Sequence, residues 1–294
     1  MKAFFRSLAF VWSHPLNHSS RRSALLRVVR WQLVSRLLEG PIALPFVNQL
    51  SLFVKRGMAG ATGNWYCGLH EFEDMALVLH VLRHGDRFLD IGANVGSYSL
   101  LAAATGANVV AVEPIPHTFE DLERNIRLNR LENVVDGHCM GVSEQTGSLR
   151  FTSGLGCVNH VVSDEEDPQD TIEVPVARLD DMVGSEIPTV MKIDVEGHER
   201  SVLMGGGDTL NDDRLMAVIM ETNGSGRRYG TEDDELVRMM LNFGLVPVKY
   251  DPFKRQLTEA KFVQGGNTIF VRDMDWVQQR VETADRFGLV NGYI

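Results

Sequence analysis

Phe88-Leu89-Asp90-Ile91-Gly92-Ala93-Asn94-Val95-Gly96 reads as an apolar strand that runs into a glycine loop ahead of a helix near Ser97 to Thr105. Glycines there let the backbone pass close to a ligand before the helix begins. Dinucleotide enzymes place G-x-G-x-x-G at this point, so that a diphosphate rests on the helix N-terminus. Here the first position is Asp90, a carboxylate that repels a diphosphate and suits a cationic ligand. An ordinary tight turn is the plain alternative, and the rest of the chain counts against it.

Working outward, strands and helices alternate. Asn108 to Val112 is the next strand, and Phe119, Leu122 and Ile126 mark a helix. A third strand falls within Val134 to Met140, and Thr189 to Ile193 is a fourth. A helix from Glu199 stops at Gly205-Gly206-Gly207, and Met216 to Met220 is a fifth strand. Thr231 and Asp234 look like a helix-starting cap ahead of Leu236, Met239, Met240 and Phe243. Leu245 to Tyr250 and Thr268 to Val271 are strands close enough in sequence to pair. Such alternation implies a mostly parallel α/β sheet covered on both faces, with ligands bound where strand order reverses.

Before this unit the chain differs in character. Residues 1 to about 45 carry Leu25, Val28, Val29, Leu33, Leu37 and Leu38 at helix spacing between arginines. Gly40-Pro41 and Pro45 end that pattern, and Leu50 to Val54 reads as a short strand. A helix follows from Glu71. We therefore divide the chain into a basic helical extension with a short strand, 1–62, and a main domain, 63–294.

The whole chain of 294 residues carries a formal net charge of −10. Through position 50, seven basic residues stand against Glu39 alone, so that end is +6 and the remainder −16. An acidic main domain argues against a nucleic-acid partner. Cys67, Cys139 and Cys157 form no CxxC pair, which argues against a disulfide framework or a zinc cluster. Arg6 interrupts the apolar start, and no cleavage site of a secretory leader follows. The expectation is a cytoplasmic protein, with the basic end a structural cap, a homodimer surface or a contact with the inner face of a membrane.

The residues that carry chemistry sit at the ends of the strands. Glu113, in Val112-Glu113-Pro114, can accept both ribose hydroxyls of a nucleoside. With Asp90 before it, the pair suits S-adenosylmethionine, whose ammonium and sulfonium are cationic. The loop Gly141-Val142-Ser143 is where the adenine should rest. Candidate cofactor contacts are thus Asp90, Gly92, Ala93, Asn94, Gly96, Glu113, Pro114, Val142, Ser143 and Asp194. In Met191-Lys192-Ile193-Asp194-Val195-Glu196-Gly197-His198-Glu199, Lys192, Asp194 and Glu196 share one side if the strand stays extended. A Lys192–Asp194 or Lys192–Glu196 pair is then expected, because lone charges in a central strand are costly.

Taken together, these motifs resemble the FkbM family of methyltransferases. The pattern of that family, Asp-hydrophobic-Gly-Ala-Asn-x-Gly, then Glu-Pro, then Lys-Ile-Asp-x-Glu-Gly-x-Glu, is matched by Asp90 to Gly96, Glu113-Pro114 and Lys192 to Glu199. The resemblance covers roughly residues 70 to 272. It implies a doubly wound, seven-stranded, mostly parallel sheet of the class I methyltransferase type, with an antiparallel last strand. It also implies methyl transfer from S-adenosylmethionine, usually to a hydroxyl of a saccharide, glycolipid or natural product.

Candidate catalytic residues are Asp194, His160 and Glu221, with His198 considered beside them. A histidine titrates near neutrality unaided, which favours His160 as base. Asp194 and Glu221, with Asn223, could hold a hard divalent ion, but nothing in the spacing requires one and none is expected. Trp65, Tyr66, His70 and Glu71 are candidates for a flap, with ordinary packing the favoured reading. Three rival functions remain: a nicotinamide oxidoreductase, which needs glycine at Asp90; a nucleic-acid methyltransferase, which the charge opposes; and a non-catalytic S-adenosylmethionine-binding regulatory protein.

Overall fold

The computed structural model describes residues 2–38, 40–163, 165–260 and 266–294. Eight strands build its central sheet: β1 Arg87–Ile91, β2 Asn108–Val112, β3 Val135–His138, β4 Val190–Ile193, β5 Ala217–Glu221, β6 Val246–Asp251, β7 Gln256–Glu259 and β8 Asn267–Val271. Their spatial order is β7-β6-β8-β5-β4-β1-β2-β3. The strands β3, β2, β1, β4 and β5 are parallel neighbours. β8 enters antiparallel between β5 and β6. The central strands β4 and β5 are buried and mainly apolar, as parallel strands under helices must be, with Lys192 of β4 the buried exception. Strand order reverses between β1 and β4, which places a ligand crevice beyond Ile91 and Ile193.

The sheet is doubly wound and mostly parallel as expected, with one strand more than the seven anticipated. The addition is β7, an edge strand that pairs with β6 through a tight turn. Asp251 builds that turn, its Oδ1 accepting from the Phe253 and Lys254 amides at 3.1 Å each. Only Leu257 of β7 is buried, so its sequence offers no apolar run to read.

Six helices matter for the site: α1 Lys2–Ser13, α2 Arg21–Leu37, α3 Ala59–Cys67, α4 Phe72–Val81, α5 Ser97–Ala104 and α6 Pro116–Leu128. The expected helical stretch up to about 45 is two helices, split by a turn at Pro15, and it ends at Leu37. A hairpin of Ile42–Pro45 and Ser51–Val54 follows. Asn125 of α6 and Asn129, just past its end, hold this hairpin. Asn129 accepts from the Ser51 amide and donates to the Ser51 carbonyl at 2.8 Å each, and Asn125 accepts from the Phe53 amide at 2.6 Å. These amides continue the hairpin's edge as a strand would, leaving no open edge there.

The N-terminal helices share their core with the sheet. Val11, Ala24, Val28 and Trp31 join the same buried cluster as Leu79, Phe88 and Val109. Arg27 is buried among them, donating to Asn17 Oδ1 at 3.0 Å and to the Tyr66 carbonyl at 2.7 Å. One arginine of the basic segment is therefore a structural tie between α2 and α3.

Two further differences from expectation follow from contacts distant in sequence. A second sheet, left unassigned above, packs Thr171–Arg178 between Gly141–Ser143 and Gly147–Thr152. The anticipated cap at Thr231 is absent: the helix begins at Asp233, and Glu232 at its cap makes no side-chain cap bond. Asp233 instead accepts from the Gly224 amide at 3.1 Å, closing the loop after β5. Among the described residues, Cys67 and Cys139 are free thiols, and no helix is long and apolar enough to cross a membrane.

Candidate active site

The β1 loop turns on Gly92, at φ +79°. A Cβ there would lie 1.8 Å from the Asp194 carbonyl oxygen, so only glycine fits where β1 and β4 end together. The amides of Gly92 and Ala93 both donate to the Val112 carbonyl at 2.9 Å, which fixes the loop against β2. Glu113, directly after β2, completes the turn. Its Oε2 accepts from the Asn94 amide at 2.9 Å and its Oε1 from the Ile115 amide at 3.0 Å.

Beyond these strand ends lies a cavity of about 320 Å³. Gly92, Ala93, Asn94, Glu113, Pro114, Val142 and Asp194 line it, as do the candidate Glu221 and the flap residues His70 and Glu71. Its walls combine apolar side chains such as Ile115, Met140 and Phe151 with five carboxylates, those of Glu71, Glu113, Asp194, Glu196 and Glu221. Lys192 is the one lysine or arginine among the described lining residues.

Several expected residues do not reach this cavity. Asp90 is fully buried beneath the floor. It sits beside Lys192 in the β1–β4 register, and its Oδ2 accepts from Ser99 Oγ at 2.6 Å. Burial pushes its pKa up, against the pull of Lys192. Asp90 thus lies outside the cavity lining, beside Lys192, with its Oδ1 buried and unpartnered. Gly96 is likewise a packing position: at φ +86° it starts α5, and a Cβ there would meet Leu122 at 2.5 Å. Ser143 is buried outside the lining, and its Oγ meets His198 Nε2 at 3.0 Å, so that His198 is the one to face the cavity.

His160 departs furthest from expectation. Asn159 and Val161 line the cavity, but His160 is buried beside them and is absent from the lining. Its Nδ1 is 3.0 Å from the Val158 carbonyl, and its Nε2 is 3.3 Å from Glu166 Oε1. With both nitrogens engaged, it has none to present to an acceptor. Trp65 and Tyr66 also lie outside the lining.

Lys192 and Asp194 form the anticipated pair, with Nζ 2.6 Å from Oδ2. Lys192 is 3% exposed, and its ammonium also lies 4.7 Å from the centre of the Tyr98 ring. Tyr98, not anticipated, donates to Glu71 Oε2 at 2.7 Å and so links the segment before α4 to α5. The loop after β4 is held by Glu199, whose Oε1 accepts from the Val195 and Gly197 amides at 3.2 Å each. This grip holds Glu196 at φ +54°, a conformation that costs free energy in a non-glycine residue and recurs at functional sites.

Carboxylate oxygens of Asp194, Glu196 and Glu221 lie within 4.8 Å of one another. Groups this close share a proton or a cation. Asn223 Nδ2 donates to Glu221 Oε1 at 2.6 Å, while Glu221 Oε2 is buried without a partner. Burial, then the charges of Asp194, Glu196 and Glu199, push the Glu221 pKa up to about 9. Burial leads the rise of Glu113, Glu196 and Glu199 to about 7.

These shifts predict a stability profile. A carboxyl whose folded pKa exceeds its unfolded value stabilises the fold below the unfolded pKa, and the contribution is lost as pH rises through the folded value. His14, His80 and His198, drawn down to about 4 by burial, act in the opposite sense below their ordinary 6.5. The carboxyl effect is therefore isolated between pH 6.5 and about 9. Over that window the melting temperature of the ligand-free chain should fall, and should fall less in Glu221→Gln. Equal slopes in differential scanning calorimetry would remove Glu221 as the source.

The profile of the methyltransferase FkbM domain matches residues 90–246. The hexuronic acid methyltransferase AglP of Haloferax volcanii is 32% identical over 153 residues, a match spanning 50% of this chain and 61% of that enzyme's length. The 31-O-demethyl-FK506 methyltransferase FkbM of Streptomyces tacrolimicus is 30% identical over 219 residues, covering 62% of this chain and 82% of that enzyme. Among solved structures, the precorrin-6y C5,15-methyltransferase of Geobacter metallireducens superposes with a TM-score of 0.40 at 12% identity, over 69% of this chain and 88% of that one. The chain belongs to the FkbM family of methyltransferases.

Proposed function

We propose that this methyltransferase moves the methyl group of S-adenosylmethionine to a neutral hydroxyl of a saccharide, glycolipid or natural-product acceptor. The observation that carries this reading is the acidic lining of the cavity: five carboxyl groups against Lys192, at the edge where β1 and β4 part. A sulfonium and an ammonium are at home there, and a diphosphate is not, which argues against a nicotinamide cofactor. The donor supplies a methyl on a good leaving group. Gly92 to Asn94 would carry its amino-acid part and Glu113 its ribose, with Val142 and His198 beside the adenine.

The chain's own part in the reaction is to orient the acceptor oxygen and take up its proton. Asp194 is the carboxylate placed for this, because Lys192 holds it at the cavity wall. Glu221, with its raised pKa, carries a proton at neutral pH and can donate a hydrogen bond to the acceptor oxygen. The two relatives named above are, by name, methyltransferases of a hexuronic acid and of 31-O-demethyl-FK506. In this cavity a uronate would meet Asp194 and the partly ionised Glu196, and like charges brought together disfavour it.

The test is methyl transfer from isotopically labelled donor to matched acceptors: neutral glycosides, their uronates and macrolide hydroxyls. Transfer to neutral hydroxyls over uronates supports the reading. Preference for a uronate would move the acceptor away from Asp194 and Glu196. Donor binding without transfer to any acceptor class would favour a regulatory protein.

A further inference from the structure

The helix α2 is apolar on two opposite faces. Ala24, Val28 and Trp31 turn inward to the core. On the other side Leu26, Val29, Leu33 and Leu37 recur at positions i, i+3, i+7 and i+11, and are 56%, 50%, 58% and 80% exposed. A stripe of large aliphatic side chains in water marks a surface that meets something. Arg22 and Arg30 stand within the stripe and Arg36 at its border, all exposed. Nearby, Trp12 is exposed, with the Arg21 guanidinium 5.1 Å from its ring centre. No aspartate or glutamate occurs in residues 1–38.

We infer that this outer face of α2, with the adjoining end of α1, docks on the surface of a bilayer rich in anionic lipid. The charge pattern selects that occupant. Leucines and valines on one side of a helix enter the headgroup boundary, while arginines among them reach outward to phosphates. Self-association through the same patch would set Arg22, Arg30 and Arg36 of one copy against those of another, since a two-fold contact joins identical surfaces. Among the described residues of α1 and α2, no acid could neutralise them.

The helices that carry the patch also adjoin the catalytic cavity, through their inner side. A second cavity, of about 460 Å³, lies between α1, α2 and α3, with Arg6, Phe10, Trp31 and Arg56 in its walls. Met58, Ala59 and His70 line both this cavity and the catalytic one.

The experiment is flotation of the full chain with vesicles of phosphatidylcholine alone and of phosphatidylcholine mixed with phosphatidylglycerol. Binding is expected to the mixed vesicles only, and to weaken with salt. Each of Arg22→Gln and Arg30→Gln should lower partitioning roughly fivefold. Leu33→Ser with Leu37→Ser should abolish it. These side chains are exposed, so thermal melting and S-adenosylmethionine binding should stay at wild-type values in every variant. Absence from mixed vesicles, or equal binding to both kinds, would overturn the inference. So would a dimer in sedimentation velocity that the leucine substitutions dissolve, because the face would then join two copies. Retained donor binding in a chain that fails to float would sink the docking and leave the methyltransferase reading intact.

Discussion

Lys192→Met is expected to destabilise the chain by ~3–5 kcal/mol near neutral pH, the cost of removing one partner from a buried ion pair. Methionine keeps most of the side-chain volume, so the loss is electrostatic. Asp194 would be left without its 2.6 Å partner, and the buried Asp90 without the cation beside it in the neighbouring strand. Burial alone would lower the Lys192 pKa, but the charges of Asp194, Glu71 and Asp90 outweigh it and hold the value above the ordinary 10.5. The stability that Lys192 contributes is therefore complete below pH 10.5 and is lost only as pH rises through the folded value. In acid the gap between wild type and variant should narrow, as the abandoned carboxylates take up protons. Urea denaturation at about pH 7 and about pH 5 measures both effects. A variant within about 1 kcal/mol of wild type at neutral pH would mean that the pair adds little to the fold.

The second large effect is on turnover. Asp194→Asn is expected to lower kcat by ~10²–10⁴, the usual worth of a positioned acid or base, with donor affinity little changed. Glu221→Gln should cost far less near neutral pH, because glutamine resembles the protonated carboxyl that Glu221 presents there. Its effect should also vary little across the neutral range. Steady-state rates with a hydroxyl acceptor, beside thermal melts to confirm folding, decide the roles. The opposite order of losses would make Glu221 the base and Asp194 the positioning group.

The strand and helix order was legible because central parallel strands leave dense apolar runs between glycine loops. The motif positions at Gly92 to Asn94, Glu113 and Asp194 were legible for a related reason: a loop at a strand end must face the crevice of such a sheet. What escaped depends on neighbours far along the chain. Asp90 looks like a ligand contact by position, yet register sets it against Lys192 of another strand, below the floor. His160 has the right chemistry, but its ring is drawn to Glu166 and the Val158 carbonyl, and only the folded loop determines that. Tyr98 gave no signal, since a tyrosine on an apolar helix face reads as packing until its hydroxyl meets Glu71. β7 was hidden by having Leu257 as its one buried side chain.

The N-terminal arginines show the same limit. Their sequence spacing does not separate arginines that face the core from arginines that face water, and the fold does. Arg27 points inward and ties α2 to α3, while Arg22, Arg30 and Arg36 remain in water beside exposed leucines. One helix thus serves the core with one face and leaves the other in water.

The most direct test of the central claim is calorimetric titration of S-adenosylmethionine and of NAD into the purified full chain. The acidic cavity and the Gly92 turn predict that S-adenosylmethionine binds stoichiometrically and NAD does not. A folded chain that bound NAD, or that bound neither, would contradict the assignment of this cavity to a sulfonium donor.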